Sequence, residues 1–362
     1  MMQNRKIAVV IPAFKVADRI EEVISRIPKA VDLIFVVDDC SPDGLAAVVQ
    51  KAGDPRLALL RNEANQGVGG ATVTGMKAAL SAGADVIVKC DGDGQMDPRY
   101  IPQLLEPVLK GHADHAKGCR FHHGDALRTM PKWRFLGNIG LTFLTKAASG
   151  YWHTMDPVNG FFATRAGTLS RLPLAKLSRR FFFESDLLIR LNVVEARVAD
   201  VPFPACYRDE ESSLSVGKAL WSFPPRLFIG LVRRIFWRYL FYSVSPVAVF
   251  GVLGLFLFCS GLAFGLGQWI THALQGAVTP GGTVMIAALP MILGFQLMLQ
   301  AVALDIQNTP RPGGPASHHS VDGNLAGGAG MAETGSALAS EEAAESAEYV
   351  EPLARLADRS SS

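Results

Sequence analysis

From Tyr239 to Leu304 the chain carries no Asp, Glu, Lys or Arg. A soluble helix rarely stays apolar on all its faces for so long. Segments 244–266 and 284–304 each supply the roughly 20 apolar residues that cross a bilayer. The loop between them, Gln268 to Gly282, is short and uncharged. Arg226, Arg233, Arg234 and Arg238 precede the first span. Basic residues flank spans on the cytoplasmic side, so the loop is expected outside and the C-terminus inside. The expectation is a multi-pass protein of the cell (inner or plasma) membrane, with everything before residue 244 in the cytoplasm.

What precedes the spans has a different period. Ile7-Ala8-Val9-Val10-Ile11 reads as a buried strand ending at Pro12-Ala13-Phe14. Ile20, Val23, Ile24 and Ile27 mark one face of a helix. A second strand, 32–37, closes at Asp38-Asp39-Cys40-Ser41-Pro42-Asp43-Gly44, and a third covers 57–61. Asn65-Gln66-Gly67-Val68-Gly69-Gly70-Ala71 opens a helix that runs to Ala82, and a fourth strand ends at Asp91. Strands alternating with helices predict an α/β fold with a mostly parallel central sheet. Such sheets bind ligands beyond the carboxyl ends of their strands, which gathers Pro12, Asp39, Asp91 and Asp93 on one edge.

The fourth strand carries the chemistry. It runs into Cys90-Asp91-Gly92-Asp93-Gly94-Gln95-Met96-Asp97-Pro98, a turn with three carboxylates. Acids at the end of a buried strand need a cation among them. Oxygen donors suit Mg2+ or Mn2+, and a metal held by one or two protein ligands keeps positions open for phosphates. An EF-hand needs Gly at position six and Glu at twelve. Counting from Asp91 these are Met96 and Pro102, so calcium of that type is excluded. The plain alternative is a solvated turn, since turns favour Asp and Gly. The Gly67–Gly70 cluster does not follow the first strand, so it is no dinucleotide fingerprint. It serves either phosphate at a helix start or close packing.

Other classes fall on composition. A net charge of +2 gives no basic field for nucleic acid. The five cysteines have neither CxxC nor zinc spacing and fit a reducing compartment. The N-terminal residues run straight into a strand and have no signal-peptide pattern. A loop bearing Arg128, Lys132, Trp133 and Arg134 mixes cations with aromatics, as lipid headgroup surfaces do. Residues 219–241 read as an amphipathic segment on the membrane surface. Pro224-Pro225 is expected to break it, so that its main helix starts there. Gln296 and Gln300, four apart, are expected to face the other span, and that helix is a candidate contact for a homo-oligomer. The tail, 310–362, is poor in bulky apolar residues and is expected to be disordered. The resulting division is 1–216 catalytic, 217–243 interfacial, 244–266 and 284–304 membrane spans, and 310–362 tail.

Taken together, Val9-Val10-Ile11-Pro12-Ala13-Phe14, Val36-Val37-Asp38-Asp39-Cys40-Ser41-Pro42-Asp43-Gly44, the Asn65–Ala71 stretch and Cys90–Pro98 resemble the inverting family-2 glycosyltransferases of GT-A fold. The likeness is nearest to the polyprenyl- and dolichyl-phosphate sugar synthases. Asp156-Pro157-Val158-Asn159-Gly160-Phe161, Gly118-Cys119-Arg120 and Tyr207–Leu214 extend it, as does the run from Phe295 to Pro310. The resemblance implies that Pro12, Ala13, Phe14 and Asp39 line the base and ribose pocket. Asp91 and Gly92 would lie by the sugar or ribose. Asp93 and Gln95 would ligate the metal, and Arg120 and Arg208 would touch the diphosphate. The chain departs from the pattern at Lys15-Val16, where an acid is common, and after Ser213, where Ser-Lys is common.

The implied reaction moves a sugar from a UDP- or GDP-sugar to a polyprenyl phosphate at the cytoplasmic face. Metal and arginine offset the charge of the leaving diphosphate. Asp156 and Asp186 are candidates for acid–base or acceptor-orienting work, with turn residue and structural ion pair as the alternatives. Arg128 and Arg134 are candidates for the acceptor phosphate. A different lipid-linked acceptor and a non-enzymatic membrane scaffold are the rival functions. A processive polysaccharide synthase would need more spans.

Overall fold

In the computed structural model the chain is described over residues 5–120, 132–203, 216–241 and 244–313, with backbone alone at 132–136, 138 and 216–221. A seven-stranded sheet organises the first two hundred residues, in the order β3-β2-β1-β4-β6-β5-β7. The strands are β1 (Ile7–Ala13), β2 (Leu33–Asp38), β3 (Leu57–Arg61), β4 (Val86–Lys89), β5 (His115–Cys119), β6 (Phe162–Arg165) and β7 (Val198–Pro202). β6 alone runs antiparallel, between β4 and β5. This gives the mostly parallel α/β sheet expected, of the GT-A type.

β1 shows why the sheet is central. All seven of its residues are buried. Ile7, Val9 and Ile11 pack on one side with Ile20, Val23 and Ile24 of α1 (Ile20–Ser25) and with α4 (Ile101–Leu109). Ala8 and Val10 pack on the other, with Met76 and Ala79 of α3 (Gly67–Ser81). A strand covered on both faces reads as an unbroken apolar run, not as an alternation. Helix α2 (Leu45–Lys51) completes the first layer. Gly75 lets α3 lie flat on the sheet: a Cβ there would stand 3.1 Å from a methyl of Val37.

The glycine cluster at the start of α3 is a packing device. A Cβ at Gly67 would lie 2.7 Å from the Arg179 carbonyl oxygen, and the Gly70 N–H donates to that oxygen at 2.9 Å. The loop 178–180 therefore seats directly on the helix start.

Beyond the sheet, α5 (Lys132–Ser149), α6 (Phe183–Val193) and α7 (Val216–Ile235) form a second body. Ala148, Phe182, Ile189, Phe223 and Leu227 make its apolar centre. The expected break at Pro224-Pro225 does not occur, and α7 runs through both prolines. Each proline forfeits one backbone hydrogen bond. Burying Phe223 and Leu227 on either side is worth about 1.5–3 kcal/mol apiece and holds the helical path. A π-helical turn, Phe236–Phe241, then leads to α8 (Pro246–Leu274) and α9 (Gly281–Gln307). The most apolar 18-residue stretches of these two helices have mean hydropathies of 2.4 and 1.9, and both helices are long enough to cross a membrane. Both outrun the spans marked by hydropathy, because a helix keeps its hydrogen bonds after its side chains turn polar.

The α8–α9 seam corrects one expectation. Gln296 and Gln300 are exposed, not turned to α8. The seam is built from Gly254 and Gly261 against Gly294 and Ala287. A Cβ at Gly254 would stand 2.8 Å from the Gly294 carbonyl oxygen. Backbones this close admit only small residues, so the glutamines lie on another face.

Candidate functional site

The parallel strands deliver their carboxyl ends to one edge, and antiparallel β6 enters the sheet from that same edge. Phe162 pairs with Lys89 on one side and with Lys117 on the other. The loop before it, Asp156 to Phe161, is thereby laid over the ends of β4 and β5. Asp91, Asp93, Arg120 and Asp156 become neighbours of this one rim.

Asp91 has a partner that sequence reasoning missed. Lys89 is fully buried, and its Nζ lies 2.8 Å from Asp91 Oδ1 and 3.1 Å from Glu184 Oε1. Burial alone would lower the affinity of Lys89 for its proton. The carboxylates of Asp91 and Glu184 more than offset this, and its pKa rises above the ordinary lysine value. Gly160 makes room for the cluster. A Cβ there would stand 2.5 Å from Lys89 Nζ, 2.8 Å from Asp91 Oδ2 and 3.4 Å from Glu184 Oε1.

Asp93 sits next to this cluster and is less well served. Its Oδ1 accepts the Gln95 backbone N–H at 3.0 Å. Burial, then the charge of Asp91, push its carboxyl above the usual range against the pull of that N–H and of Lys89. Asp97 is different: Arg99 pairs with it at 2.6 Å and holds its carboxyl low, and its side chain caps the turn at Pro98. Gln95 is exposed at the rim. Among the described residues no three His, Cys, Asp or Glu side chains form a metal cage. Asp91, Asp93 and Gln95 thus offer an open, oxygen-only, partly neutralised set, which fits a divalent ion that shares its ligands with a phosphate.

The donor-pocket candidates divide. Phe14 is exposed, with Lys15 Nζ 5.4 Å from its ring centre. Pro12 and Ala13 are buried at the end of β1, opposite Val37 and Asp38. Gly92 is buried, and a Cβ there would meet Ile11, Val16 and Ile20 at 3.3 Å. Asp39 is buried beneath the rim. It accepts from Asn62 Nδ2 at 2.7 Å, Gln66 N at 2.9 Å and Gly67 N at 2.8 Å, which caps α3 from a distance.

Asp156 is fully buried and pairs with Arg120 Nε at 2.8 Å and Asn159 Nδ2 at 3.1 Å. Beside it Lys117, also buried, donates to the Pro157 carbonyl oxygen at 2.6 Å. Burial lowers the Lys117 pKa to about 8 against the help of Asp156, Asp200 and Glu184. Glu184 and Asp186, two residues apart on α6, part company. Glu184 turns to Lys89. Asp186 turns away, accepting from Ser178 N at 3.1 Å and Arg190 Nε at 3.2 Å and pairing closely with Arg233 of α7. Arg128 and Arg208 lie outside the described residues, and Arg134 is placed on α5 by backbone only.

The profile of the family described as "Glycosyl transferase family 2" matches residues 8–172. An undecaprenyl-phosphate mannosyltransferase of Micrococcus luteus is 30% identical over 59% of this chain and 88% of its own length. The chain belongs to glycosyl transferase family 2. A UDP-N-acetylglucosamine–dolichyl-phosphate N-acetylglucosaminyltransferase of Methanococcus voltae is 28% identical over 68% of this chain and 99% of its own length. Among solved structures, glucosyl-3-phosphoglycerate synthase of Mycobacterium tuberculosis superposes with a TM-score of 0.47 at 21% identity, covering 64% of this chain and 80% of that one. A glycosyltransferase of this family takes its sugar from a nucleotide-diphosphate donor, and this one carries two apolar helices long enough to span a membrane.

Proposed function

We propose that this glycosyltransferase moves its sugar, with inversion, to a polyprenyl phosphate at the cytoplasmic face of the membrane, in a reaction that depends on Mg2+ or Mn2+. The observation that carries the proposal is the apolar surface through which the catalytic body continues into the two apolar helices. The exit of α9 joins the body that bears Glu184 and Asp186, through Asp305 and Arg234 at 2.7 Å. Along the same body α5 exposes Ile139, Phe143 and Leu144, and α7 exposes Phe228, Ile229 and Val232. Apolar side chains in this setting suit the boundary of headgroups and acyl chains. Two of the relatives carry lipid-phosphate acceptors in their names, which points the same way.

The chain's own residues divide the work. Asp93 and Gln95 would hold the metal beside the donor diphosphate. The metal, when bound, supplies positive charge to the leaving diphosphate. Arg120, fixed by Asp156, presents a guanidinium at the same rim. Phe14 offers an exposed ring for the base. The acceptor phosphate oxygen attacks the anomeric carbon from the face opposite the leaving group, and the C–O bond to the diphosphate breaks. That phosphate is already ionised near neutral pH, so positioning matters more than a strong base. Arg128 and Arg134 remain the candidates for holding it, and Arg208 for the donor phosphates. Glu184 joins the list as a group near the donor sugar.

The test is direct. Purified full-length protein in vesicles with polyprenyl phosphate is given a panel of nucleotide sugars, and the lipid product is weighed by mass spectrometry. A sugar-phosphate-polyprenol is expected. Transfer only to some other lipid-linked acceptor, or none at all, overturns the proposal. A reporter placed between Gln268 and Gly282 should sit outside the cell and one after residue 310 inside; the reverse overturns the orientation.

A further inference from the structure

A dense buried polar cluster lies where the catalytic body meets the membrane hairpin. Arg234 of α7 is wholly buried. Its guanidinium grips Asp305 of α9 with both ends, Nη1 to Oδ1 at 2.7 Å and Nη2 to Oδ2 at 2.9 Å. The same guanidinium donates from Nε to the Ala148 carbonyl oxygen at 2.9 Å and from Nη2 to that of Ala147 at 3.2 Å. Tyr239 donates its hydroxyl to Asp305 Oδ1 at 2.8 Å. One turn on, Arg238 bonds to Asn192 of α6 and to the Asn308 carbonyl oxygen at 2.7 Å. Thr309 closes the ring by donating to the Gly150 carbonyl oxygen at 2.9 Å. Gly150 is itself left-handed, φ +74°, and a Cβ there would stand 2.5 Å from Arg234 Nη1. Ends of α5, α6, α7 and α9 are thereby tied at one point.

We propose that Arg234 and Asp305 are positioning residues that bolt the exit of the second apolar helix to the catalytic body, fixing the height and tilt of the active-site rim over the bilayer and so the reach to a lipid-borne acceptor. The choice of residue types argues for this. A buried ion pair is a poor source of stability compared with apolar packing of the same volume. A forked guanidinium on a carboxylate, however, fixes direction as well as distance. Apolar contacts between helix ends would permit sliding and rotation, and this pair does not. Asp305 is also the first charged residue after the charge-free stretch, so the bolt stands where α9 leaves the hydrocarbon. The proposal rests on the polyprenyl-phosphate reading for its catalytic consequence but not for its geometry.

Asp305→Asn is the test, because it keeps the shape and removes the charge. In nanodiscs, transfer to membrane-embedded long-chain polyprenyl phosphate should fall roughly 10- to 100-fold, the cost of an ångström-scale misplacement. Transfer to a short-chain, water-soluble prenyl phosphate, and binding of nucleoside diphosphate with Mn2+, should stay within about twofold, since neither needs the rim held over a bilayer. Equal loss on both acceptors, or no loss on either, overturns the proposal. A second readout needs no acceptor. Spin-label residues introduced at Lys51 and Val278 should give one narrow distance distribution in the wild type and a broad one in Asp305→Asn; an unchanged narrow distribution also overturns it. If the wild type glycosylates no polyprenyl phosphate, the acceptor reading fails and the distance measurement alone decides. If Asp305→Asn does not bind nucleotide, Tyr239→Phe takes its place with the same outcomes at smaller size.

Discussion

Two ionic clusters in this glycosyltransferase are built from the same parts and left in different states. At the rim, Lys89 stands between Asp91 and Glu184, with Asp93 close by. At the membrane junction, Arg234 stands against Asp305, with Tyr239 closing the remaining side. The junction is closed: its guanidinium and its carboxylate meet through two hydrogen bonds, and both are shielded from solvent. The rim is open, with Asp91 and Glu184 sharing Lys89 beside Asp93, and Asp93 holds its proton more tightly than a free carboxyl. A closed cluster has nothing to offer a ligand and serves as a joint. An open one is a receptor for positive charge. On the proposed reading, the rim binds and the junction positions.

The difference can be broken at its most exposed point first. Asp93→Ala should lower sugar transfer at least about 1000-fold by removing a ligand of the charge that stabilises the leaving diphosphate. Its melting temperature should stay within a few degrees of wild type, because the site is better off with one acid fewer when no metal is present. Retained transfer would mean that the open cluster is not the metal site. Steady-state rates and thermal melts on the same preparation settle both halves.

Lys89→Met comes next. It leaves Asp91 and Glu184 facing one another without a cation, at a cost on the order of 3–5 kcal/mol. Denaturant unfolding should show that loss, and adding Glu184→Gln should restore part of it. Gly160→Ala attacks the same cluster sterically, and overpacking of this kind costs about 1–3 kcal/mol. If Lys89→Met unfolds like the wild type, Lys89 is not the cation that makes the rim tolerable.

The smallest effect concerns Lys117. Its folded pKa of about 8 lies below the ordinary lysine value of 10.5. Between these values the unfolded chain binds more protons than the folded one, so folding stability rises with pH across this window. Below about pH 8 both states are protonated and the cost of burying the charge is paid in full. Melts from pH 7.5 to 10 should show that rise in the wild type, and a flatter profile in Lys117→Met.

The sequence made the rim legible because its main acids are local. Asp91, Asp93 and Gln95 follow one strand, and alternation of strands with helices places that strand's end on the binding edge. The membrane hairpin was equally plain, since its signal is the absence of charge over a long stretch. What escaped was set by distant pairing. Lys89 and Glu184 are ninety-five residues apart, and no local pattern announces their contact. Glu184 and Asp186 look alike in sequence, and only the turn of α6 sends one to the rim and the other to Arg233. β6 escaped as well, because an antiparallel strand inserted into a parallel sheet has no sequence mark of its own. Asp305 stood in view as the end of a span, but its partner Arg234 read as one more basic residue beside a membrane. The helix through Pro224-Pro225 shows tertiary burial outweighing a local breaker.

The central claim is that the rim acids are held for a metal-bound diphosphate. Calorimetric titration of UDP and GDP into the full-length protein tests it most directly, with Mn2+ and then with excess chelator. Binding of one of them that requires the metal, and that vanishes in Asp93→Ala, is the result expected. Binding that is equally tight with chelator, or in Asp93→Ala, would contradict it.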